Sequence, residues 1–400
     1  MPLPREEKTM LFTFAMIFLL GMAAGDLCRR VHLPPLMGML LTGILIGPHC
    51  LNRMDASVLD ISAQLRQIAL IVILLRAGLN LKPEDLRRVG RPAILMCFVP
   101  ATLEILGMVL LAPLFFPLSR MEALLLGTVI AAVSPAVIVP HMLGIMEQGW
   151  GTRQGIPQMI LAGASADDVF VIVLFTSCTG MVQTGSFAAW DLLRIPTSIL
   201  LGILAGILAG MALGALLERT ALAGTQALLV ILSAAFGLVS AEGALTGPVG
   251  FSGLIAAMVL GMTLSRKAGV KAQEASAGLS RIWTAAQVLL FVLVGAAVDI
   301  RYAAQAGGRA VALILLVLVF RMLGVMLCLL GTALDRRERL FAMLAYTPKA
   351  TVQAAIGAIP LTMGLSCGNT VLTVAVVSIL LTAPLGAFLI ELTYTRFLKQ

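Results

Sequence analysis

The sequence predicts an all-α polytopic membrane protein of about 13 transmembrane helices, arranged as two inverted repeats whose paired broken helices cross at the midplane. Three observations support this fold class. Hydrophobic residues make up 60% of the 400 residues and charged residues only 12%, whereas about a quarter of an ordinary soluble chain is charged. Long apolar stretches recur along the whole chain. Similar motifs also return at one fixed separation, which indicates an internal duplication.

Apolar windows of about 19 residues define the predicted spans. The N-terminal segment MPLPREEKTM is too acidic to be the basic region of a cleaved signal, so the first apolar run is predicted to be a spanning helix. The predicted spans are 9–27, 34–51, 62–78, 92–116, 121–144, 156–181, 192–217, 223–240, 249–264, 282–299, 309–331, 339–361 and 370–394.

The loops predict the orientation in the membrane. An odd number of spans places the two termini on opposite faces, and most Lys and Arg residues follow the odd-numbered spans, as Arg29, Arg30, Arg336 and Arg337 do. Positively charged loops stay in the cytoplasm. We therefore expect a cell-membrane protein with a cytoplasmic C-terminus and an external N-terminus, in the inner membrane if the source is bacterial. The net charge of +8 then reflects topology, and no nucleic-acid partner is predicted.

Two pairs of motifs indicate the duplication. GMLLTGILIG at 38–47 resembles GLIAAMVLG at 253–261, and GLNLKPEDLRRVGRPA at 78–93 resembles GAAVDIRYAAQAGGRA at 295–310. Both pairs relate a predicted span to the one seven spans later. Because seven is odd, the second half is predicted to enter the membrane upside down relative to the first, with the seventh span as the connector.

Prolines predict that the fifth and twelfth spans are broken. Pro135 and Pro140 lie in AAVSPAVIVPHM, and Pro348 stands beside Lys349 in the equivalent segment AYTPKATVQAAIG. Proline removes a backbone donor, and freed backbone groups within a bilayer are tolerated only where they are buried in protein or line a cavity. Paired interruptions in two repeats predict a binding site. Lys349 is expected to compensate the negative carbonyl ends of the half-helices, with direct proton carriage as the alternative role.

Five charged residues lie too deep in predicted spans to reach an interface, namely Glu104, Asp167, Asp168, Arg321 and Lys349. Each costs about 2.5–3.5 kcal/mol on insertion scales, so each needs a partner or a function. Glu104 and Arg321 occupy equivalent positions of the two repeats and are predicted to form a core salt bridge. Arginine does not release its proton, so we expect this pair to be a structural clamp.

Asp167 and Asp168, in LAGASADDVFVIVLF, are the predicted ion-binding and proton-binding residues. Two like charges in a low-dielectric site favour binding of a proton by at least one of them. A carboxylate is also a ligand for a small hard cation such as Na⁺ or Li⁺, and Ser134 is expected to help coordinate it. A pair held by the hydroxyls of Ser134, Ser165 and Thr347 is the structural alternative.

Four motifs together resemble the cation/proton antiporter superfamily, and within it the NHA branch of sodium/hydrogen exchangers. They are VSPAVIVPHML, GASADDVFVIVLF, LVFRMLGVM and YTPKATVQAAIG. The resemblance implies a homodimer in which a core bundle moves against a dimerisation panel in an elevator-like exchange of Na⁺ or Li⁺ for H⁺. It also implies that Asp168 is the main ion ligand and proton carrier, with Asp167 as its partner. Arg321 replaces the lysine of many electrogenic relatives, which predicts one proton per cation.

The same resemblance gives the predicted organisation. Panel and dimerisation helices occupy 1–91 and 222–306, the core ion-translocation bundle 92–181 and 307–400, and a connecting helix 182–221. No enzyme activity and no cofactor are expected beyond transported Na⁺ or Li⁺ and H⁺. Two alternatives stay open: a sodium-coupled symporter of an organic anion, and an intramembrane aspartyl protease. The protease is disfavoured because two adjacent acids on one helix are badly placed to share a catalytic water.

Overall fold

The structure is a computed structural model that describes residues 9–31, 33–80, 90–184, 189–220, 222, 224–244, 251–267 and 269–400. Every regular element among these residues is a helix. The first nine helices are α1 Met10–Arg30, α2 Pro35–Ile46, α3 Ala56–Asp60, α4 Ser62–Asn80, α5 Arg91–Met96, α6 Val99–Phe115, α7 Arg120–Ile130, α8 Pro135–Glu147 and α9 Ile156–Thr184. The other nine are α10 Ala189–Arg219, α11 Gly224–Ala244, α12 Gly253–Lys267, α13 Gly269–Ala296, α14 Ile300–Cys328, α15 Arg336–Ala345, α16 Thr351–Ile356, α17 Ile359–Thr362 and α18 Gly368–Phe397.

The all-α membrane fold class is confirmed, and one to three helices lie at each predicted span. The count of thirteen spans is not confirmed. Within the described residues, nine segments are long and apolar enough to cross a bilayer, and shorter apolar helices add to them. The division into panel, core and connector stays a prediction, because a single arrangement of the helices does not show which of them move.

The predicted fourth span differs from expectation because it is interrupted. We expected one continuous helix over 92–116, but α5 ends at Met96 and α6 begins at Val99. Pro100, at the second position of α6, has no N–H to donate to the carbonyl four residues earlier, which is that of Met96. The interruption lies at the point where that hydrogen bond is missing.

The two halves match when residue numbers are shifted by 217, the separation of Glu104 and Arg321. Under this shift α7 and α8 correspond to α15 and α16 with α17, and α9 corresponds to α18. Both first half-helices begin with a capping box, from Ser119 and Glu122 in α7 and from Asp335 and Glu338 in α15. A capping box satisfies the free N–H groups of a first turn. The local sequence therefore starts both broken helices in the same way.

A row of glycines lets α10 lie unusually close to α12. Gly202, Gly206, Gly210 and Gly214 are four residues apart and so share one face of α10. A Cβ atom at Gly206 would lie 2.6 Å from the carbonyl oxygen of Ala256, and one at Gly202 would lie 2.7 Å from that of Ser252. We call this contact the glycine seam; it joins α10 to α12.

Candidate functional site

The two interrupted helices touch each other at their gaps. The first gap, 131–134, separates α7 from α8, and the second, 346–350, separates α15 from α16. The backbone N–H of Ser134 donates to the carbonyl oxygen of Pro348 at 2.8 Å. The hydroxyl oxygens of Ser134 and Thr351 lie 3.5 Å apart. We call this meeting of the two gaps the crossing; Ser134 and Thr351 are both buried in it.

Prolines leave carbonyl groups without their usual partners, and other side chains supply the missing donors. Pro135 cannot donate to Ala131 four residues earlier, and Arg321 Nη1 donates to that oxygen instead. Pro348 cannot donate to Leu344, whose carbonyl oxygen accepts from Thr347 Oγ1 at 2.8 Å. Since a buried carbonyl without a partner is costly, these bonds make the interruptions tolerable inside the membrane.

At the gap between α5 and α6, a side chain also supplies the hydrogen-bond donor that a proline lacks. The carbonyl oxygen of Met96, which Pro100 cannot serve, accepts from the hydroxyl of Tyr346 at 3.0 Å. The Tyr346 ring lies beneath the Arg321 guanidinium, with Cζ 4.9 Å from the ring centroid. The helix α9 comes close at this point because Gly163 has no side chain; a Cβ there would lie 2.8 Å from the Tyr346 hydroxyl oxygen. Tyr346 therefore links the crossing to the third interruption.

The free N–H groups of the two gaps are also bonded by side chains of the helices that follow. Val133 N–H donates to Asp167 Oδ2 on α9 at 2.9 Å. Lys349 N–H donates to Thr382 Oγ1 on α18 at 2.9 Å. The long helices α9 and α18 thus fix the backbone of the gaps, and Asp167 is placed at the crossing by this bond.

Four fully buried charged side chains form one network at the crossing, which we call the charge network: Glu104, Asp167, Arg321 and Lys349. Arg321 Nη1 donates to Glu104 Oε2 at 2.7 Å, and Arg321 Nη2 donates to Asp167 Oδ2 at 2.8 Å. The Lys349 ammonium lies 2.8 Å from Glu104 Oε1 and donates a hydrogen bond to Oε2 at 2.9 Å. In their usual ionised forms these two acids and two bases sum to zero charge.

Arg321 makes contacts that a lysine cannot reproduce. Besides the two carboxylates, its Nε donates to the carbonyl oxygen of Tyr346 at 2.6 Å, and Nη1 also reaches that of Ala131. These carbonyls lie at the C-terminal ends of α15 and α7, where the helix dipoles are negative. A planar guanidinium presents five donors in a fixed fork. Arg321 therefore joins both half-helices to both acids.

Asp168 lies outside this balanced network. It is next to Asp167 on α9, and neighbouring side chains on a helix point about 100° apart. Its exposed fraction is 8%, and its Oδ1 is buried with no hydrogen-bond partner within the described part of the chain. If ionised, Asp168 would be an uncompensated buried charge. It therefore needs a proton or a cation.

The sequence predictions for this site differ in outcome. The predicted contact between Glu104 and Arg321 is present, and Asp167 adds a second acid to it. Lys349 was expected to compensate the carbonyl ends, but its ammonium contacts Glu104, and the carbonyls are bonded by Arg321 and by Gln353. Gln353 Nε2 donates to the carbonyl oxygens of Ile130 and Ala132 at 3.1 and 2.8 Å. The functional roles of these residues stay predictions.

The predicted helix breaks also differ in outcome. Pro135 and Pro348 lie at the two gaps, whereas Pro140 lies inside α8, which continues to Glu147. The prediction of a break at Pro140 was wrong because one internal proline removes a single hydrogen bond, and a helix can continue past it. Ser134 lies at the crossing as expected. The side chain of Ser165 is outside the described set, so the structural alternative that used it is not tested.

Sequence reasoning missed Tyr346, Gln353 and Thr382. The last two carried a usable signal, since each is a polar side chain inside an apolar span. Pro100 could likewise have predicted the gap after Met96, as Pro135 and Pro348 predicted theirs. Tyr346 gave no such signal, because an aromatic residue in an apolar span is ordinary packing material.

The site offers oxygen ligands to a small hard cation. Asp167 Oδ1 and Asp168 Oδ1 are both buried without a hydrogen-bond partner among the residues described, and carboxylate oxygen suits alkali metal ions. In the same part of the chain, no cluster of three His, Cys, Asp or Glu side chains is arranged to hold a resident metal ion.

Comparison with known proteins gives the family. The family model described as "Sodium/hydrogen exchanger, transmembrane" matches residues 14–393. Sodium/hydrogen exchanger 9B2 of Mus musculus is 32% identical over 409 residues, covering 98% of this chain and 74% of the relative. Sodium/hydrogen exchanger 9B1 of Homo sapiens is 32% identical over 414 residues, covering 98% of this chain and 78% of the relative.

A solved structure shows the same fold. The sodium proton antiporter MjNhaP1 from Methanocaldococcus jannaschii, solved at pH 8, superposes with a TM-score of 0.86 at 20% identity, covering 98% of this chain and 99% of that one. The family model matches nearly the whole chain, and the relatives are sodium/hydrogen exchangers. Both findings are consistent with a site of buried acids where two interrupted helices cross. The chain belongs to the sodium/hydrogen exchanger family.

Proposed function

We propose that this chain exchanges Na⁺ or Li⁺ for H⁺ across the membrane, and that the two ions compete for Asp168. The observation that carries the proposal is the charge balance at the crossing. Glu104, Asp167, Arg321 and Lys349 neutralise one another through direct contacts, while Asp168 has a buried oxygen without a partner among the described residues. The chain belongs to a family of transporters, which supports the same conclusion. So do relatives whose names specify sodium/hydrogen exchange.

Competition follows from the electrostatics of a buried carboxylate. An ionised Asp168 in a low-dielectric site is costly unless a positive charge accompanies it. Either a proton or an alkali cation supplies that charge, and binding of one removes the reason to bind the other. A site that is exposed to one face of the membrane at a time then converts this choice into exchange.

The contacts of the two bases support one proton per cation. Arg321 is bonded to two carboxylates and two carbonyl groups, and arginine stays charged under physiological conditions. Lys349 lies within 2.9 Å of both oxygens of Glu104, and this contact offsets part of the cost of burying its ammonium group. With both bases held, Asp168 is the group left to carry a proton. The exchange of one H⁺ for one Na⁺ or Li⁺ moves no net charge.

The larger assembly belongs to the same proposal. The core bundle carries the crossing past a panel in an elevator-like movement, and two copies of the chain pair through their panels. The C-terminus faces the cytoplasm, because Lys and Arg concentrate in the loops on that face. No observation favours the organic-anion symporter or the aspartyl protease over exchange.

Proton movement in reconstituted vesicles tests the proposal. Purified protein is placed in liposomes with an internal pH indicator, and Na⁺, Li⁺ and K⁺ gradients are imposed in turn with the membrane voltage clamped. We expect Na⁺ and Li⁺ gradients to drive proton flux in the wild type. Asp168→Asn, which keeps the size of the side chain and removes its charge, should reduce the flux to that of empty vesicles.

The control variant is Asp60→Asn, which changes an exposed acid at the end of α3. It should transport as the wild type does. Exchange that survives in Asp168→Asn would contradict the assignment of the carrier. A cation gradient at zero net flux that shifts with the clamped voltage in the wild type would contradict the one-for-one stoichiometry.

A further inference from the structure

A second polar site lies between α8 and α18, at the end of these helices away from the crossing. It is a partly open pocket with a volume of about 230 Å³. Its polar lining consists of His141 and Gln148 from α8 and its C-terminal turn, and Glu391 and Tyr394 from α18. None of these four residues touches the charge network through the bonds described above. The pocket is therefore separate from the ion site at the crossing.

The hydrogen bonds of His141 make this pocket rich in acceptors. His141 Nδ1 lies 2.8 Å from the carbonyl oxygen of Val137. A carbonyl can only accept, so Nδ1 carries the proton, and in the neutral ring Nε2 is then an acceptor. Nε2 faces Glu391 Oε1 across 3.7 Å. Two acceptors that face each other need a donor between them or a second proton on the ring.

Among the described residues that line the pocket, none is a lysine or an arginine that could donate to these two acceptors. The Tyr394 hydroxyl donates to Gln148 Oε1 at 3.2 Å, which uses its proton and leaves its oxygen as another acceptor. Trp150 packs edge-on against the Tyr394 ring, with centroids 6.3 Å apart. A carboxylate, an imidazole nitrogen and the aromatic ring of Tyr394 together suit a ligand with several N–H donors and a positive charge. An ammonium group has this chemistry.

The depth of the pocket indicates where such an ammonium comes from. Helix α18 has 30 residues and is about 45 Å long, which matches a bilayer with its headgroup layers. Glu391 lies six residues before the end of α18, and His141 lies six residues before the end of α8. Both are therefore about 9 Å from their helix ends, near the boundary between headgroups and hydrocarbon.

The surroundings of the pocket are those of a lipid-facing surface. Leu143, Phe388 and Leu392, which are close in sequence to His141 and Glu391, are 47%, 62% and 42% exposed. Tyr394 and Trp150 are residues that favour the interface between water and hydrocarbon. A lipid can place its chains against these apolar groups while its headgroup enters the pocket. A free amine in solution gains nothing from them.

We propose that this pocket binds the ammonium group of an aminophospholipid headgroup, with Glu391 and His141 Nε2 accepting its N–H bonds. The site is carried by the same helices that contribute to the crossing, since α8 begins at Pro135 and α18 holds Thr382. A lipid bound there would move with these helices. The proposal is independent of the proposed exchange, because binding at this pocket does not require that any ion be transported.

Lipid-dependent thermal stability of purified protein tests this proposal. The protein is delipidated in detergent, and its unfolding midpoint is measured on addition of phosphatidylethanolamine, phosphatidylcholine or phosphatidylglycerol with the same acyl chains. The choline headgroup has methyl groups in place of N–H donors, and glycerol has no positive charge. We expect the midpoint to rise with phosphatidylethanolamine well beyond its rise with the other two. Free ethanolamine should have little effect.

Two variants locate the binding. Glu391→Gln removes a carboxylate that is 66% exposed, so the fold should be retained, and it should weaken phosphatidylethanolamine binding by about tenfold or more, the effect of one lost charge-assisted hydrogen bond. Glu218→Gln changes an exposed acid at the end of α10 and should leave binding unchanged. Native mass spectrometry of the same samples counts the bound lipids directly.

Three results would overturn the proposal. One is equal stabilisation by all three lipids. Another is an ethanolamine-lipid response that Glu391→Gln does not change. The third is a large loss of stability in Glu391→Gln without lipid that disappears when His141 is also replaced by glutamine, which would show that a protonated His141 is the internal partner of Glu391.

Discussion

The two halves of the chain share a framework but differ in charge. Positions separated by 217 residues correspond, and Glu104 of the first half stands opposite Arg321 of the second. The first half supplies the acids of the crossing, and the second half supplies both bases. The duplication therefore explains the position of the site, while the divergence of the two copies explains its chemistry.

The gaps in the two halves sharpen this comparison. Val133 N–H in the first gap is bonded by Asp167, and Lys349 N–H in the second is bonded by Thr382. At the shift of 217, Asp167 and Asp168 correspond to Pro384 and Leu385. An uncharged hydroxyl thus accepts a hydrogen bond from the backbone N–H of a gap as well as a carboxylate does. The negative charge of Asp167 is therefore needed for Arg321, and not for the backbone of the gap.

The largest effect is expected from Arg321→Lys. The three donors of an ammonium cannot reach both carboxylates and both carbonyl groups that the guanidinium now holds. Breaking a buried ion pair costs about 3–5 kcal/mol, so the thermal unfolding midpoint in detergent should fall strongly. Arg309→Lys, at an exposed position of the same helix, should leave the midpoint unchanged. Equal midpoints for the two variants would show that the fork geometry is unimportant.

The second prediction compares the two adjacent acids. Asp167→Asn keeps an oxygen for Val133 N–H but removes the charge that faces Arg321, and we expect a loss of about 3 kcal/mol in the free energy of unfolding. Asp168→Asn removes a charge that lies outside the balanced network, so its midpoint should equal or exceed that of the wild type. The same thermal measurement checks both variants. If Asp168→Asn proved the more destabilised, the division between structural and carrier acid would be wrong.

The smallest effect is expected from Tyr346→Phe, which keeps the ring beneath Arg321 and removes only the hydroxyl. The carbonyl of Met96 is then left unpaired beside Pro100, at a cost of about 1–3 kcal/mol. Tyr302→Phe is the matched control, because its hydroxyl contacts Thr370 Oγ1 at 2.6 Å in a partly exposed place. A smaller drop in the midpoint for Tyr346→Phe than for Tyr302→Phe would contradict the role given to the hydroxyl.

The sequence predicts the fold and the charged residues of the site well, and for physical reasons. Apolar spans and interfacial charges reflect the bilayer directly, and a charge such as Arg321 inside a span is too costly to be incidental. Prolines predicted the gaps at Pro135 and Pro348 because the loss of a backbone donor is a local effect. Pro140 shows the limit of that rule, since the surrounding helix tolerates it.

What the sequence did not predict depends on contacts between distant segments. The direction in which Lys349 points is decided by Glu104, which is 245 residues away in the chain. Gln353 donates to Ala132 and Tyr346 to Met96 only because the crossing brings these groups together. The helix propensity of a local segment contains no information about contacts between residues so far apart in the chain. They follow from the packing of the two halves against each other.

The glycine seam between α10 and α12 has a mechanical consequence. Backbones that approach this closely interlock, since a one-residue slip along the seam would press a larger side chain of α10 into Ala256 or Ser252. We therefore expect the two helices to resist sliding along each other and to move as one rigid unit. Movements elsewhere in the molecule should therefore leave α10 and α12 in the same position relative to each other. A bulky residue at Gly206 would push α10 and α12 apart. It would leave the carboxylates of Asp167 and Asp168 chemically unchanged.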